Sequence, residues 1–279
     1  MKKLIFFCLF SSLIVGCRKN IEKTGDPMLD NAAKSKSYYD GDAKLLKAYS
    51  AFLDGLSASD SKLGDLAFHL SSPSEETKNL YGGIFNGGFI SETLETMYFA
   101  NDQDRVLKPL FKKNGKFVMK DLNPEDVFGR VVKFSTSDPK SVSLRSYNWS
   151  DSLYIPKLLN LNRSPRTEGF SKSAGLTLTW DVDNNPLNDK GVLINISYTA
   201  LPERVGNANL PNYNIDKVII VKDDGSYTLS SKDLAEFPTP SRHLSVSVYR
   251  GNFRLSDYNS QNLPLMIYNK SGYSLKMNN

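Results

Sequence analysis

The side chains that most often carry chemistry are scarce in this chain of 279 residues, which contains two Cys and two His. Cys8 and Cys17 lie near the N-terminus, whereas His69 and His243 are far from them and from each other. A structural zinc site needs about four Cys or His ligands, and a disulfide framework needs several Cys pairs. The sequence also lacks an H-E-x-x-H and a G-x-S-x-G motif. These features argue against a zinc domain, a disulfide scaffold and a serine hydrolase.

Oxygen-bearing side chains cluster in one segment between two predicted strands. The candidate metal ligands in it are Asp181, Asp183, Asn185 and Asp189. Ca²⁺ takes about six to eight oxygen ligands, so this segment is a candidate calcium site. It does not follow the EF-hand pattern, because Pro186 stands where that loop needs Gly. Asn, Asp and Pro are also ordinary residues of a hairpin loop, which is the alternative interpretation.

Two further groups of residues are candidates for ligand binding or catalysis. Tyr147 and Trp149 flank Asn148 at the end of a predicted strand, and exposed aromatic rings stack on sugars or anchor protein partners. Trp149 in a hydrophobic core is the alternative. Carboxylates that cleave a glycosidic bond can be distant in sequence, so acids such as Asp102 with Asp104, and Glu125 with Asp126, leave that chemistry open.

The N-terminus has the pattern of an export signal. Lys2 and Lys3 precede an apolar run over residues 4–15, which is too short to span a bilayer as a helix. The run ends in the sequence Leu13, Ile14, Val15, Gly16, Cys17. This sequence resembles the lipobox of bacterial lipoproteins. The resemblance implies that the thiol of Cys17 receives a diacylglyceryl group and that residues 1–16 are removed.

This processing would change what the chain can do. Removal of two Lys lowers the formal net charge from +5 to +3, and Cys17, which is lipidated, becomes the only Cys. Several acyl chains anchor a protein stably in a membrane, whereas a single chain gives marginal binding. In such lipoproteins an Asp after the Cys is typical of inner-membrane retention, so Arg18 favours the outer membrane. The periplasmic and the surface-exposed orientation both stay open. Nucleic acid is not an expected partner, because the net charge after processing is small and the Lys and Arg residues are dispersed.

Composition and periodicity divide the chain into five segments. Residues 1–16 form the signal peptide, and the polar residues 17–41 predict a flexible tether. Residues 42–82 predict a helical segment. Residues 83–165 predict a β-rich domain, and residues 170–279 predict a β-sandwich, with a polar boundary over residues 162–169.

The helical segment starts with an apolar stripe at spacings of three and four, preceded by Asp42 as the N-cap. The stripe consists of Leu45, Leu46, Tyr49, Phe52, Leu53 and Leu56. A second helix is expected over residues 63–70 and a third from Pro73 onward. In the β-rich domain, short runs of β-branched and aromatic residues predict strands over residues 116–119, 130–134, 142–147 and 153–155.

The last third alternates apolar and polar residues, as strands with one buried face do. Strands are expected over residues 176–180, 192–198, 217–222, 227–229, 244–248, 265–268 and 273–277. This pattern resembles a fibronectin type III module, with Trp180, Tyr198 and Leu229 at the positions of the family's core Trp, Tyr and Leu. It departs from the family because Arg242 and His243 stand where a corner Tyr is expected. The resemblance implies a sandwich that supplies a binding surface or a spacer.

The sequence therefore predicts a mainly β fold, with antiparallel β-sandwich domains and a short N-terminal helical segment. Two function classes stay open. One is a binding or assembly protein that is lipid-anchored at the outer membrane and recognises a protein or a glycan through loops of its β-sandwich. The other is a glycan-processing hydrolase. The scarcity of Cys and His favours the first, and no cofactor other than the candidate Ca²⁺ is expected.

Overall fold

The computed structural model describes residues 35–58, 66–69, 85–90, 97–102, 108–113, 116–122, 127–135, 150–162, 169–200, 211, 213–239, 241–258 and 261–278, which form fifteen strands and one helix. The elements are β1 Ser35–Gly41, α1 Ala43–Ala58, β2 Leu66–His69, β3 Phe85–Ile90, β4 Met97–Asn101, β5 Lys108–Lys113, β6 Lys116–Leu122, β7 Arg130–Ser135, β8 Ser150–Ile155, β9 Phe170–Ser171, β10 Leu176–Thr179, β11 Val192–Tyr198, β12 Asn214–Val221, β13 Ser226–Leu229, β14 Ser241–Tyr258 and β15 Gln261–Asn278. Within this part of the chain, α1 lacks the length and apolarity that crossing a membrane requires.

The strands form two sheets. The larger one has the order β1-β12-β11-β14-β15-β2-β3-β6-β5-β4-β7-β8, with β9 paired to β15, and the smaller one consists of β10 and β13. Most neighbours are antiparallel, whereas β1 with β12, β2 with β15 and β9 with β15 are parallel. The large sheet curls, so that β8 returns to lie against β14 and β15. The predicted mainly β fold is confirmed.

The C-terminal part is a sandwich of the β10–β13 sheet on the strands β12, β11, β14 and β15. Trp180, Tyr198 and Leu229 are all nearly inaccessible to solvent and belong to one hydrophobic core. The alternating residues of β14, which are Leu244, Val246 and Val248, complete it from the opposite sheet. The predicted packing of the Trp, Tyr and Leu into a single core is therefore confirmed.

The sandwich begins earlier in the chain than residue 170. Leu159 is fully buried in the same core, and the backbone of Leu161 forms an antiparallel bridge with Trp180. Of the polar stretch over residues 162–169 that predicts a domain boundary, residues 163–168 lie outside the described residues.

The hairpin of β14 and β15 is the longest feature of the fold, with 18 residues in each strand. Its first half pairs with β11, and residues 265–268 pair with β2 of the other β-rich region. Residues 265–268 and 273–277, which were expected to be two strands, are one. Gly272 lies within this strand, at a position where a Cβ would stand 2.4 Å from the carbonyl oxygen of Val246, so that a larger residue does not fit there.

The N-terminal described residues are built onto the sandwich. β1 pairs in parallel with β12 along all seven of its residues, and Tyr38 packs against the core. The tether predicted over residues 17–41 therefore gives way to a strand at Ser35. The pattern did not reveal this strand, because it is mostly polar and its partner lies far along the chain.

Helix α1 covers the other face of the same sheet. Its Leu45 packs with Leu193, Val218, Ile220 and Tyr249, whose side chains point away from the sandwich core. Oδ1 of Asp42 accepts hydrogen bonds from the backbone N–H of Lys44 at 2.9 Å and of Leu45 at 3.1 Å, which confirms the predicted N-cap.

The helix expected over residues 63–70 is wrong. Leu66–His69 is the strand β2, which pairs with β15 on one side and β3 on the other. In so short a segment, the apolar residues fit the spacing of a helix as well as the alternation of a strand. The segment forms a strand because it pairs with the edge that β15 of the long hairpin offers. The third helix start, at Pro73, lies outside the described residues. The strands predicted over residues 116–119, 130–134 and 153–155 are confirmed as parts of β6, β7 and β8.

Candidate functional site

A buried cation, Arg250, marks the place where the sandwich ends and the long hairpin continues toward the other β-rich region. Its side chain is fully buried, and its Nε lies 2.8 Å from Oδ2 of Asp223. Its Nη2 donates to Oδ1 of the same carboxylate at 3.0 Å. The Nη2 hydrogen bond is charge-assisted, and the close approach of Nε to the other carboxylate oxygen adds to the attraction between the two charges. A charge in this position needs such a partner, because removing it from water is costly.

The remaining donors of Arg250 hold the backbone of two other segments. Nη1 donates to the carbonyl oxygens of Lys157 at 3.2 Å and Leu158 at 3.3 Å. Nη2 also donates to the carbonyl oxygen of Asp181. One side chain therefore joins the segment after β8, the loop after β10 and the turn after β12.

Asp223 accepts hydrogen bonds from neighbours besides Arg250. The indole Nε1 of Trp180 donates to its Oδ1 at 2.8 Å, and Nδ2 of Asn188 donates to its Oδ2 at 2.7 Å. The backbone N–H of Asp183 lies 3.3 Å from Oδ2. The largest ring of the sandwich core is thereby linked to the buried ion pair.

A second buried carboxylate, that of Asp183, lies next to this pair. It accepts from the phenol of Tyr154 at 2.9 Å and from the backbone N–H of Lys157 at 2.8 Å, and its Oδ1 accepts from the backbone N–H of Asn185. Burial, and then the neighbouring Asp183 carboxylate, raise the pKa of Tyr154 well above its usual range. The phenol therefore stays protonated at neutral pH and remains a donor.

Together these groups form what we call the junction network, which consists of Tyr154, Trp180, Asp183, Asn188, Asp223, Arg250 and Asn269. Asn269 belongs to it because its Oδ1 accepts from the N–H of Leu159 at 2.9 Å and its Nδ2 donates to the carbonyl oxygen of Lys157 at 3.2 Å. The carboxylates of the junction network, those of Asp183 and Asp223, both accept hydrogen bonds from donors of the protein itself. The network therefore orders the backbone segments that it joins.

The structure does not gather the four candidate calcium ligands. Asp183 serves the junction network, whereas Asp181 accepts from Nδ2 of Asn160 at 3.3 Å and Asp189 pairs with Lys190 at 2.9 Å. Oδ1 of Asn185 accepts from the N–H of the residue two positions later. Within the described ranges, no group of three or more His, Cys, Asp or Glu side chains is placed to hold a metal ion.

The same loop presents a residue that the sequence analysis missed. Leu187 is 51% exposed at its tip, and its carbonyl oxygen accepts from Nδ2 of Asn252 at 3.2 Å. The sequence could have indicated this exposure, because Leu187 stands alone in a run of Asn and Asp residues, where no buried face is expected. A single exposed Leu is normal on a protein surface, so its exposure alone does not mark a binding site.

The other candidate residues are distributed as follows. Cys17, Tyr147, Trp149, Asp104, Glu125 and Asp126 lie outside the described residues. Asp102 forms an ion pair with Arg130 at 3.6 Å. His69 lies on β2 and His243 on β14, two different strands.

Comparison with known proteins assigns the chain to no family. No protein-family model matches the chain, and no curated protein matches it. Among solved structures, the chain is similar to the crystal structure of the FN1–FN3 domains of chicken CNTN1, at 12% sequence identity. The match covers 77% of this chain and 66% of that one, slightly under two thirds of its length, with a TM-score of 0.18. The β-sandwich is therefore assigned from its own strand pairing and core.

Proposed function

We propose that the protein is a lipid-anchored binding or assembly protein of the cell envelope, attached to the outer membrane, which recognises a protein or a glycan through loops of its β regions. The observation that carries the proposal is the run from Leu13 to Cys17, in register with the basic residues and the apolar segment before it. The structure adds the position at which such an anchor would join the folded part.

That position is one end of the sandwich. β1 starts at Ser35, which pairs with Asn214, whereas Gly41 pairs with Ile220 at the other end of β12. The loop over residues 181–191 and the junction network lie at this second end, about 20 Å along the strands. The 18 residue steps from Cys17 to Ser35 can reach at most about 65 Å. An anchor at Cys17 would thus hold the near end and present the loop and the β2–β8 region at the far end.

The two aromatic candidates, Tyr147 and Trp149, directly precede β8 in the sequence. β8 runs from Ser150 to Ile155, and its last residue is close in sequence to Lys157 of the junction. Trp149 precedes Ser150 in the chain and thus adjoins the end of β8 remote from the junction. Tyr147 and Trp149 lie outside the described residues, and their sequence pattern makes them the first ligand-binding residues to test.

Replacing Cys17 by Ala should abolish anchoring, because the acyl chains need its thiol. We expect the wild-type protein to enter the detergent phase on Triton X-114 partitioning of cells and the Cys17→Ala variant to be uncleaved or to enter the aqueous phase. Cys8→Ala is the matched control and should behave as wild type, since Cys8 lies in the apolar run that would be removed. A processed Cys17→Ala protein in the detergent phase would refute lipidation at this residue.

Replacing Trp149 by Ala should weaken ligand retention by about tenfold or more if the ring is a binding anchor. Retention would be measured on immobilised polysaccharides and on envelope extract, alongside the melting temperature. Trp149→Phe, which keeps a flat ring, should retain more binding. A lower melting temperature with unchanged retention would instead place Trp149 in a core. Turnover of a glycan that disappears on mutation of a single Asp or Glu would replace the binding proposal by the hydrolase.

A further inference from the structure

The outermost strand in the described part of the large sheet is short, regular and mostly polar. β1 is the terminal strand of the described sheet order, and it reads Ser-Lys-Ser-Tyr-Tyr-Asp-Gly. An edge strand offers backbone donors and acceptors to another chain unless Pro, a bulge or an unpaired charge prevents it. β1 contains no Pro, and its pairing with β12 shows no register shift. Within the described part of the chain, β1 is therefore a regular edge, which a further strand can join if its two charges are matched.

The direction of the backbone groups follows from one hydrogen bond at the end of the strand. The N–H of Asp42 donates to the carbonyl oxygen of Ile220 at 2.7 Å. Backbone groups of a strand point alternately to its two sides, so the N–H and C=O of Asp40, Tyr38 and Lys36 face β12. Those of Ser37 face the opposite side, away from the sandwich. A second strand would pair through the odd-numbered residues.

The side chains of β1 are complementary to a second copy of the same strand. When two copies run antiparallel about Tyr38, Lys36 of each copy stands opposite Asp40 of the other, and Ser37 stands opposite Tyr39. Lys36 and Asp40 share one face, because both alternate in phase with Tyr38. Opposite charges in such cross-strand pairs are favourable, and like charges are unfavourable.

Within Ser35–Gly41, only this register places Lys36 opposite Asp40. Centring the strands on Ser37 places Lys36 opposite Tyr38 and leaves Asp40 beyond the paired strand. Centring them on Tyr39 places Asp40 opposite Tyr38 and Lys36 opposite Asp42, whose carboxylate already caps α1. The Nζ of Lys36 is held near the sheet by the ring of Tyr213, whose centroid is 4.5 Å away. The two charged residues of β1 therefore match each other only in the alignment centred on Tyr38.

We propose that β1 is a homodimerisation edge, at which two copies of this chain join their sheets through antiparallel β1 strands centred on Tyr38. The pairing is isologous, with a two-fold axis between the two Tyr38 residues. Tyr39, which is 48% exposed, adds an aromatic ring on the other face of the joined strands. One pair of edge strands buries little surface, so the dimer is weak in dilute solution and is favoured where the chain is concentrated, as on a membrane.

The first test traps the alignment as a disulfide. The full chain carrying Lys36→Cys together with Asp40→Cys is oxidised in the cells that make it and is run on a non-reducing gel. We expect a dimer band for this variant, because positions 36 and 40 of two copies face each other in a closely spaced pair. Lys36→Cys alone should give no band above the wild-type background from Cys8 and Cys17, since its two copies stand about 13 Å apart. Equal bands in the single and double variants would overturn the proposed register.

The second test uses charge reversal in the full chain in detergent solution, with sedimentation equilibrium as the readout. Lys36→Glu and Asp40→Lys should each raise the dimer dissociation constant by about tenfold, because each places like charges opposite each other at both ends of the joined strands. The double variant should return it to the wild-type value. Circular dichroism melting of all three variants verifies that the fold is kept. A monomer in both tests, or a dimer insensitive to every reversal, would overturn the proposal.

Discussion

Replacing Asp223 by Ala should lower the free energy of unfolding by about 3–5 kcal/mol, the usual cost of removing one partner of a buried ion pair. The variant leaves the guanidinium of Arg250 fully buried without a counter-charge and also removes the acceptor of the Trp180 indole. Urea denaturation followed by circular dichroism measures the effect. The matched control is Asp189→Ala, which removes an exposed acid of the neighbouring loop and should change the free energy by less than about 0.5 kcal/mol.

A double replacement separates the charge from the shape of the site. Arg250→Met with Asp223→Leu removes both charges and keeps apolar volume, so it should be less destabilising than Asp223→Ala alone. It will still cost stability, because the carbonyl oxygens of Lys157 and Leu158 lose their donor. If Asp223→Ala and Asp189→Ala had equal effects, the junction network would not hold the fold together.

Replacing Trp180 by Ala should cost about 3–5 kcal/mol of stability, the range typical of a large buried aromatic ring. The ring is 3% exposed and packs in the core that both sheets of the sandwich share. Trp180→Phe should cost less, because it keeps most of the apolar contact and loses only part of the volume and the hydrogen bond to Asp223.

Leu187→Ala is the control for the Trp180 measurement, since it shortens an apolar side chain that is half exposed and should change stability by less than about 0.5 kcal/mol. Both variants are compared by chemical denaturation monitored by circular dichroism. A loss under 1 kcal/mol for Trp180→Ala would mean that the inward phase of β10 is assigned to the wrong face.

The features that could be predicted are those that depend on residues close together in the sequence. Alternation in β10, β11 and β14 identifies the inward residues, and a polar residue before an apolar stripe identifies the cap at Asp42. β1 and β2 could not be predicted in this way. Each is short, and each is defined by a parallel partner that lies more than a hundred residues away along the chain.

The junction network shows what sequence reasoning can and cannot find in a site. Arg250 continues the inward phase of Leu244, Val246 and Val248, so a charge at a core position was visible in the sequence. Its partner Asp223 was not, because it lies in a turn 27 residues earlier and looks like an ordinary hairpin residue. The same limit applies to Asp183, whose donors come from Tyr154 and Lys157, so composition alone could not distinguish a hydrogen-bonded loop from a cation site.

The parallel pairing of β1 with β12 has a mechanical consequence. Tension applied through the segment before Ser35 and opposed at the far end of the sandwich acts along the strand direction. The seven paired residues of β1 then resist as a group, because sliding the strand requires all its ladder hydrogen bonds to break together. A strand pulled away from its partner sideways would instead separate one bond at a time. Under such tension β1 is loaded in shear, the geometry in which a short β ladder withstands the greatest force.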